Sequence, residues 1–296
     1  MTETGAAQAR FADYLELTKP RLSLLSVMTA LVGYFAARPA FEPLRLVLLA
    51  VGTSLAAGGV ASLNQWMEGD TDARMRRTAL RPIPAGKIAG GTAFVLGWLM
   101  CIASLMLLFA GVGKLAALFT LLTIACYLGW YTPAKRSSRW STEIGAIAGA
   151  CPPLIGWTAA EGTVSALGWI LFGILFFWQI PHFMAIGWTY RSDYSGVRFP
   201  MLPVRDGTGT RAAAWALVAT VSLLAVSLIP VLIGLDSLWY GGAALVLGAW
   251  FVRRAIAFMR PASRDAGARF LFLFSLAYLP LLLGILVLDR LVLAGR

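Results

Sequence analysis

Residues 45–72 read RLVLLAVGTSLAAGGVASLNQWMEGDTD. Between Leu46 and Leu63 there is no ionisable side chain. A helix needs roughly 20 predominantly apolar residues to cross a bilayer's hydrocarbon, and this run comes close to that. It ends on three side chains that carry oxygen, Asn64, Glu68 and Asp72, spaced by four. Four helical residues turn through about 400°, so the three stay near one face. The stretch therefore sets a spanning helix and a polar stripe where that helix meets the membrane surface. Asn64 lies inside the apolar run, where a polar side chain is costly without a partner or a function.

The rest of the chain repeats the pattern. Of 296 residues, 59% are hydrophobic and 13% charged, with a mean hydropathy of +0.75. A soluble domain carries roughly 25% charged residues. Nine apolar windows can be drawn, near 22–38, 45–65, 89–110, 115–132, 142–160, 165–188, 212–234, 237–252 and 270–288. They predict an all-α integral membrane protein with nine transmembrane helices and termini on opposite sides. The first 18 residues hold Glu3, Asp13 and Glu16 and no apolar core, so no cleavable leader is expected there. Cys101, Cys126 and Cys151 lie in apolar stretches without a CxxC pair and read as small core residues.

The net charge of +11 first raises nucleic acid as a partner, but its distribution argues against that. Twenty of the 25 Lys and Arg fall in the N-terminal segment or in the loops after the second, fourth, sixth and eighth windows. The other side holds Arg38, Arg45, Lys114, Arg290 and Arg296. Positive residues mark the cytoplasmic side. The N-terminus is therefore expected in the cytoplasm and the C-terminus in the periplasm, in a bacterial inner membrane. A single polytopic domain over 1–296 is expected. Its cytoplasmic parts are a cap at 1–20 and long loops at 67–88, 133–141 and 189–211, where function should sit.

Three groups of residues carry chemistry. The first is the Asn64–Glu68–Asp72 stripe with Arg74, Arg77 and Arg81 behind it. Oxygen ligands at a membrane surface suit a hard cation such as Mg²⁺, which binds carboxylates plus phosphate oxygens. The planar fork of arginine suits a diphosphate. The plain alternative is a solvated helix end with salt bridges. The second is Tyr131-Thr-Pro-Ala-Lys135, a hydroxyl and a point charge at the same mouth, or else an interfacial aromatic anchor. The third runs from Phe177-Trp178-Gln179-Ile180-Pro181-His182-Phe183 through Tyr190-Arg191-Ser192-Asp193-Tyr194 to Pro200-Met201-Leu202-Pro203.

Asn64-x₃-Glu68-x₃-Asp72 followed by Arg76-Arg77-Thr78 and Arg81-Pro82-Ile83-Pro84-Ala85-Gly86 resembles the first aspartate-rich motif of the UbiA-type intramembrane prenyltransferases. The third block is similar to their protoheme-farnesylating, haem O-forming branch, as is Pro152-Pro153-Leu-Ile-Gly156-Trp157. The resemblance covers nearly the whole chain from Leu17-Thr18-Lys19-Pro20-Arg21. It implies a helical bundle around a central cavity open to the cytoplasm. It also implies transfer of the farnesyl group of farnesyl diphosphate to a vinyl group of protoheme IX, with water addition, giving haem O.

By the same resemblance, Asn64, Glu68, Asp72 and Asp193 hold Mg²⁺, and Tyr131 and Lys135 act on the leaving group. Arg74, Arg77, Arg81, Lys135 and Arg191 bind substrate, with His182 and Trp178 toward the haem. Trp66, Tyr131, Phe177 and Trp178 are candidates for the cavity wall, although core packing is the commoner fate of such rings. His182, the one histidine, reads either as a haem contact or as a hydrogen-bonded interior residue. Haem is then a substrate and not a cofactor. The lipid bilayer and haem A synthase are the implied partners.

The chain departs from the pattern at Ser192, where an acid is expected, at Arg198 for glycine, at Val197 for a second aspartate, and at Ser141 for asparagine. A second metal ion would then have fewer protein carboxylates. A prenyltransferase for an aromatic quinone precursor would share the fold, the Mg²⁺ and the diphosphate site, and the third block favours haem over it. A secondary transporter would instead place polar residues along a path through the membrane and show inverted repeats.

Overall fold

The computed structural model describes residues 9–37 and 40–294. Residues 1–8 of the predicted cap, and Arg38 and Arg296 of the charge tally, lie outside the described residues. The described residues contain helices and no strand.

Helix α1 (Phe11–Leu17) lies against the loop after the second apolar window. Its Asp13 accepts from the Arg10 backbone N–H at 2.9 Å and pairs with Lys87 at 3.1 Å. Those two contacts, the backbone one foremost, hold the Asp13 carboxyl below the usual carboxylate range. Leu17 packs with Ile88 and Ala93. Helix α2 (Pro20–Ala36) opens on a proline, which is well placed at a first helical position. α3 (Pro43–Asp72) carries the whole Asn64–Asp72 stripe in helical conformation.

α4 (Gly90–Gly111) returns along α3. α5 (Lys114–Ala125) continues through a π-helical turn (Cys126–Tyr131) into α6 (Thr132–Ser137). Then come α7 (Ser141–Ala150), α8 (Pro152–Glu161), α9 (Ala166–Thr189), and the short α10 (Arg191–Gly196) and α11 (Leu202–Arg205). α12 (Thr210–Leu232), α13 (Leu238–Met259) and α14 (Arg264–Ala294) complete the chain.

Among the described residues, seven helical stretches are long and apolar enough to cross a membrane: 43–72, 90–111, 114–137, 166–189, 210–232, 238–259 and 261–292. The other two predicted windows differ. The window at 22–38 is a helix of 17 residues. That at 142–160 is two ten-residue helices meeting at Cys151. Pro152 and Pro153 lack the N–H groups that would continue α7, so the break falls where they stand. Many large apolar side chains point outward, among them Leu99 at 60% exposure and Met106 at 68%. Such a surface is untenable in water and natural against lipid tails.

Two packed groups build the bundle. α9, α12, α13 and α14 share the largest core, which includes Trp157, Leu171, Phe251 and Leu282. α2, α3, α5 and α8 share another around Tyr34, Leu49 and Ile155. Glycines let α2 and α8 touch backbone to backbone. A Cβ on Gly156 would lie 1.7 Å from the Ala30 carbonyl oxygen, and one on Gly33 would lie 2.0 Å from that of Pro153. Such small-residue contacts are how helices associate tightly in lipid.

Candidate active site

A cavity of about 430 Å³ lies at the seam between the two groups, at the end of the bundle where α3 and α6 finish and α2 and α7 begin. Its size is ordinary for a ligand site. Its mouth is polar and its inner wall is apolar and aromatic.

The stripe forms one side. Asn64, Glu68 and Asp72 are all buried, and each meets a cation from elsewhere in the chain. Lys19 Nζ donates to Asn64 Oδ1 at 2.9 Å, and the Asn64 amide faces Thr132 Oγ1 at 3.3 Å. Lys135 Nζ donates to both Glu68 oxygens, at 2.8 and 3.1 Å. Arg81 donates to Asp72 Oδ2 at 2.6 Å. Buried carboxylates are tolerable only with such partners. The Thr78 hydroxyl donates to the Asp72 carbonyl at 2.8 Å and holds the turn that brings Arg81 back.

Lys19 takes a left-handed backbone conformation, φ 47°, which is uncommon for a residue with a side chain. Pro20 disfavours the right-handed helical region for it. The π turn before α6 also matters. Thr132 Oγ1 bonds five residues back, to the Tyr127 carbonyl at 2.9 Å, and Tyr127, Tyr131 and Lys135 all line the cavity. Lys135 Nζ sits 4.6 Å from the Tyr131 ring centroid. Helix α7 makes room for this side of the site. A Cβ on Gly145 would press on the Tyr131 ring at 2.6 Å, and one on Gly149 would reach Gln179 Oε1 at 2.0 Å.

Four basic side chains, Lys19, Arg77, Arg81 and Lys135, line the cavity against two carboxylates, Glu68 and Asp72. The surplus is positive, so the mouth suits an anion. Two further donors are free: the Ser141 and Thr142 hydroxyls are buried at the start of α7, line the cavity and have no partner among the described residues. Arg77 bridges to the third sequence block. It donates to the Tyr194 hydroxyl at 3.1 Å and lies over the Tyr190 ring at 5.5 Å.

The inner wall carries Trp178, Gln179, His182, Phe183 and Leu279. Gln179 donates to the Ala146 carbonyl of α7 at 3.2 Å, which ties α9 to α7. A second, apolar lobe of about 150 Å³ shares Lys19, Leu22, Ser26, Tyr127 and Gly149 with the main cavity. It runs between α2, α3, α5 and α8 past Ala56, Ala57 and Val60.

The structure thus brings together Asn64, Glu68, Asp72, Arg77, Arg81, Tyr131, Lys135, Trp178 and His182. It does not bring Arg74, Arg191 or Asp193 to the cavity wall. Arg74 is exposed. Arg191 donates to the Trp188 carbonyl at 2.8 Å and pairs with Asp265 at 3.3 Å. Asp193 stands on α10, while its neighbour Tyr194 takes the cavity side. Asp70, two residues off the stripe, points out and pairs with Arg136 at 2.8 Å. Trp66 is likewise off the stripe and packs on Phe94 at 4.8 Å, and Phe177 packs on Phe176; neither lines the cavity.

Arg198, at the position where glycine is expected, has φ 57°, a conformation glycine adopts freely. Lys19 and Thr142 also line the cavity and were not among the expected site residues, and Gln179 was marked only as part of the third block. The Lys-Pro pair before an apolar run was the available signal for the first, and Thr142 had none. Among the described residues no three His, Cys, Asp or Glu cluster as a metal site. The stripe supplies hard oxygens of the kind that Mg²⁺ takes, too few and too spread along α3 to enclose an ion by themselves. The remainder would fall to water and ligand oxygens, as Mg²⁺ prefers.

This fold and site define an intramembrane prenyltransferase. The chain matches the UbiA prenyltransferase family over residues 26–277 and belongs to it. It is 69% identical, over the whole of both chains, to the protoheme IX farnesyltransferase of Opitutus terrae. A solved digeranylgeranylglyceryl phosphate synthase has the same fold, with a TM-score of 0.81 and 15% identity over 94% of this chain and 98% of that one. So does a UbiA homologue from Archaeoglobus fulgidus bound to GPP and Mg²⁺, with a TM-score of 0.65 and 13% identity over 90% of this chain and 99% of the other.

Proposed function

We propose that this chain transfers the farnesyl group of farnesyl diphosphate to protoheme IX. The terminal carbon of a vinyl group bonds to farnesyl C1, and diphosphate leaves with the electron pair of the broken C–O bond. Water then adds to the inner vinyl carbon and releases a proton, giving haem O. The observation that carries this reading is one continuous cavity with the cation-backed stripe at one end and the Trp178–His182 wall at the other. The relationship to protoheme IX farnesyltransferases supports the acceptor.

Arg77, Arg81 and Lys135 neutralise charge as it grows on the leaving diphosphate, the main electrostatic contribution such a site offers. Tyr131, Ser141 and Thr142 offer hydroxyl donors to the same oxygens. Asn64, Glu68 and Asp72 would hold Mg²⁺. When bound, that ion would polarise the diphosphate and help it depart. The apolar lobe beside Ala56, Ala57 and Val60 would take part of the farnesyl tail and keep it from water. Asp193 and Arg191 would join only through movement of the α10 segment, to which Arg77 already bonds through Tyr194.

The charge distribution supports a site on the cytoplasmic side of a bacterial inner membrane, with the N-terminus inside and the C-terminus outside. Haem A synthase would consume the product.

Expression in a bacterium lacking its own haem O-forming enzyme, followed by haem extraction and mass analysis, tests the reading. Haem O is expected from the wild type, and membranes treated with EDTA should lose the activity until Mg²⁺ is restored. Folded protein that yields only protoheme would redirect attention to aromatic acceptors. Arg77→Ala should raise KM for farnesyl diphosphate roughly tenfold, the value of one charge-assisted hydrogen bond. Thermal stability should barely change, because Arg77 is exposed.

A further inference from the structure

Among the described residues His182 has one hydrogen-bond partner, and that partner's own bonds decide where the imidazole proton sits. His182 Nδ1 lies 2.7 Å from the Ser275 hydroxyl oxygen on α14. That hydroxyl owns a single proton and lies 2.6 Å from the Phe272 carbonyl oxygen. A carbonyl can only accept, so the serine proton points there. Toward His182 the serine oxygen then offers only a lone pair, and Nδ1 must be the donor. The ring packs against Trp178, Phe183 and Phe272 and bonds to no acidic side chain among the described residues, so it is neutral and carries one proton. Nε2 is left with a bare lone pair on a side chain that lines the cavity.

Ser275 does a second task. Its backbone carbonyl accepts from Trp178 Nε1 at 2.9 Å, and the Trp178 ring stacks on His182 with centroids 4.8 Å apart at 25°. One residue of α14 thus orients both rings that α9 presents to the cavity. Ser275 is itself fully buried and cannot touch a substrate.

Resting on the haem reading above, we infer that Ser275 is a positioning residue that locks His182 in the Nδ1–H tautomer, so that Nε2 binds the iron of the protoheme substrate. Neutral imidazole is a common axial ligand of haem iron. A hydrogen bond to its far nitrogen fixes the tautomer and raises the basicity of the ligating one. The axial bond pins the centre of the macrocycle beside α9.

The test uses the purified full-length protein, titrated with ferric protoheme in the absence of farnesyl diphosphate and followed by optical and EPR spectra. Wild type should show imidazole-ligated iron. His182→Ala should lose that signature and regain it with added imidazole. Ser275→Ala should weaken protoheme binding by roughly 10- to 100-fold, the usual effect of losing such an outer hydrogen bond, and alter the spectrum. Ser275→Thr, which keeps the hydroxyl, should restore both.

An unchanged spectrum and affinity in Ser275→Ala, even with lower thermal stability, would overturn the positioning role. An imidazole signature that persists in His182→Ala would overturn the ligand assignment. If the wild type makes haem O while either result holds, the function stands without this inference. If the wild type neither binds protoheme nor makes haem O, both fall together.

Discussion

Replacing Asp72 by Ala is expected to cut haem O formation by roughly 10²- to 10³-fold, the scale seen when one preorganised electrostatic group leaves an active site. Asp72 ends the stripe, is almost fully buried and lines the cavity mouth. Its carboxylate also holds Arg81 at 2.6 Å, so Ala removes a ligand oxygen and frees a guanidinium that leaves the diphosphate's path. A loss of fold could mimic that result, because a buried partner left unpaired is itself destabilising. Asp72→Asn separates the two. It keeps the shape and an oxygen for Arg81 but removes the charge. The thermal transition should stay close to that of the wild type while kcat/KM falls. Full activity in Asp72→Asn would sink the assignment of the stripe to diphosphate chemistry.

Gly156→Ala is expected to be as damaging, by another route. The new Cβ would meet the Ala30 carbonyl oxygen at 1.7 Å and the Tyr34 backbone nitrogen at 2.9 Å. Both are backbone atoms, so no side chain can swing aside and α8 must move away from α2. Overpacking of this kind costs about 3 kcal/mol at its upper range. It also displaces Pro152 and Ile155, which edge the apolar lobe. The readout is folded yield and melting temperature in detergent, with activity falling in parallel. Gly284→Ala is the control. Gly284 lies in α14 with nothing within 4 Å of the added carbon. That change should be neutral or stabilising by up to about 1 kcal/mol. Equal melting temperatures for the two variants would refute the close α2–α8 contact.

Much of this molecule was legible locally. The spacing of Asn64, Glu68 and Asp72 was read as one helix face, and α3 holds all three on one cavity wall. Asp70, two residues off that face, points away and pairs with Arg136. Tyr131 and Lys135 came out together, as their spacing implied, although the π turn behind them left no mark in the periodicity. The window at 142–160 was drawn as one helix, and the proline pair at 152–153 divides it into α7 and α8. The Asp193 segment was harder. A motif read in one dimension put Asp193 at the metal, whereas α10 turns Tyr194 toward the cavity instead.

The sequence by itself determined that the chain lives in a membrane, where its seven long apolar helices lie and which loops carry charge. Those properties follow from composition and from periods of three to four residues, which neighbouring residues share. Tertiary structure alone decided which cation answers which oxygen. Lys19 meets Asn64, and Lys135 meets Glu68, across 45 and 67 residues of chain. It also decided that Ser275, 93 residues from His182, orients that ring. Such pairings depend on how helices cross and how closely glycines let them approach. No local pattern encodes that geometry, because each partner is chosen by burial against a distant segment.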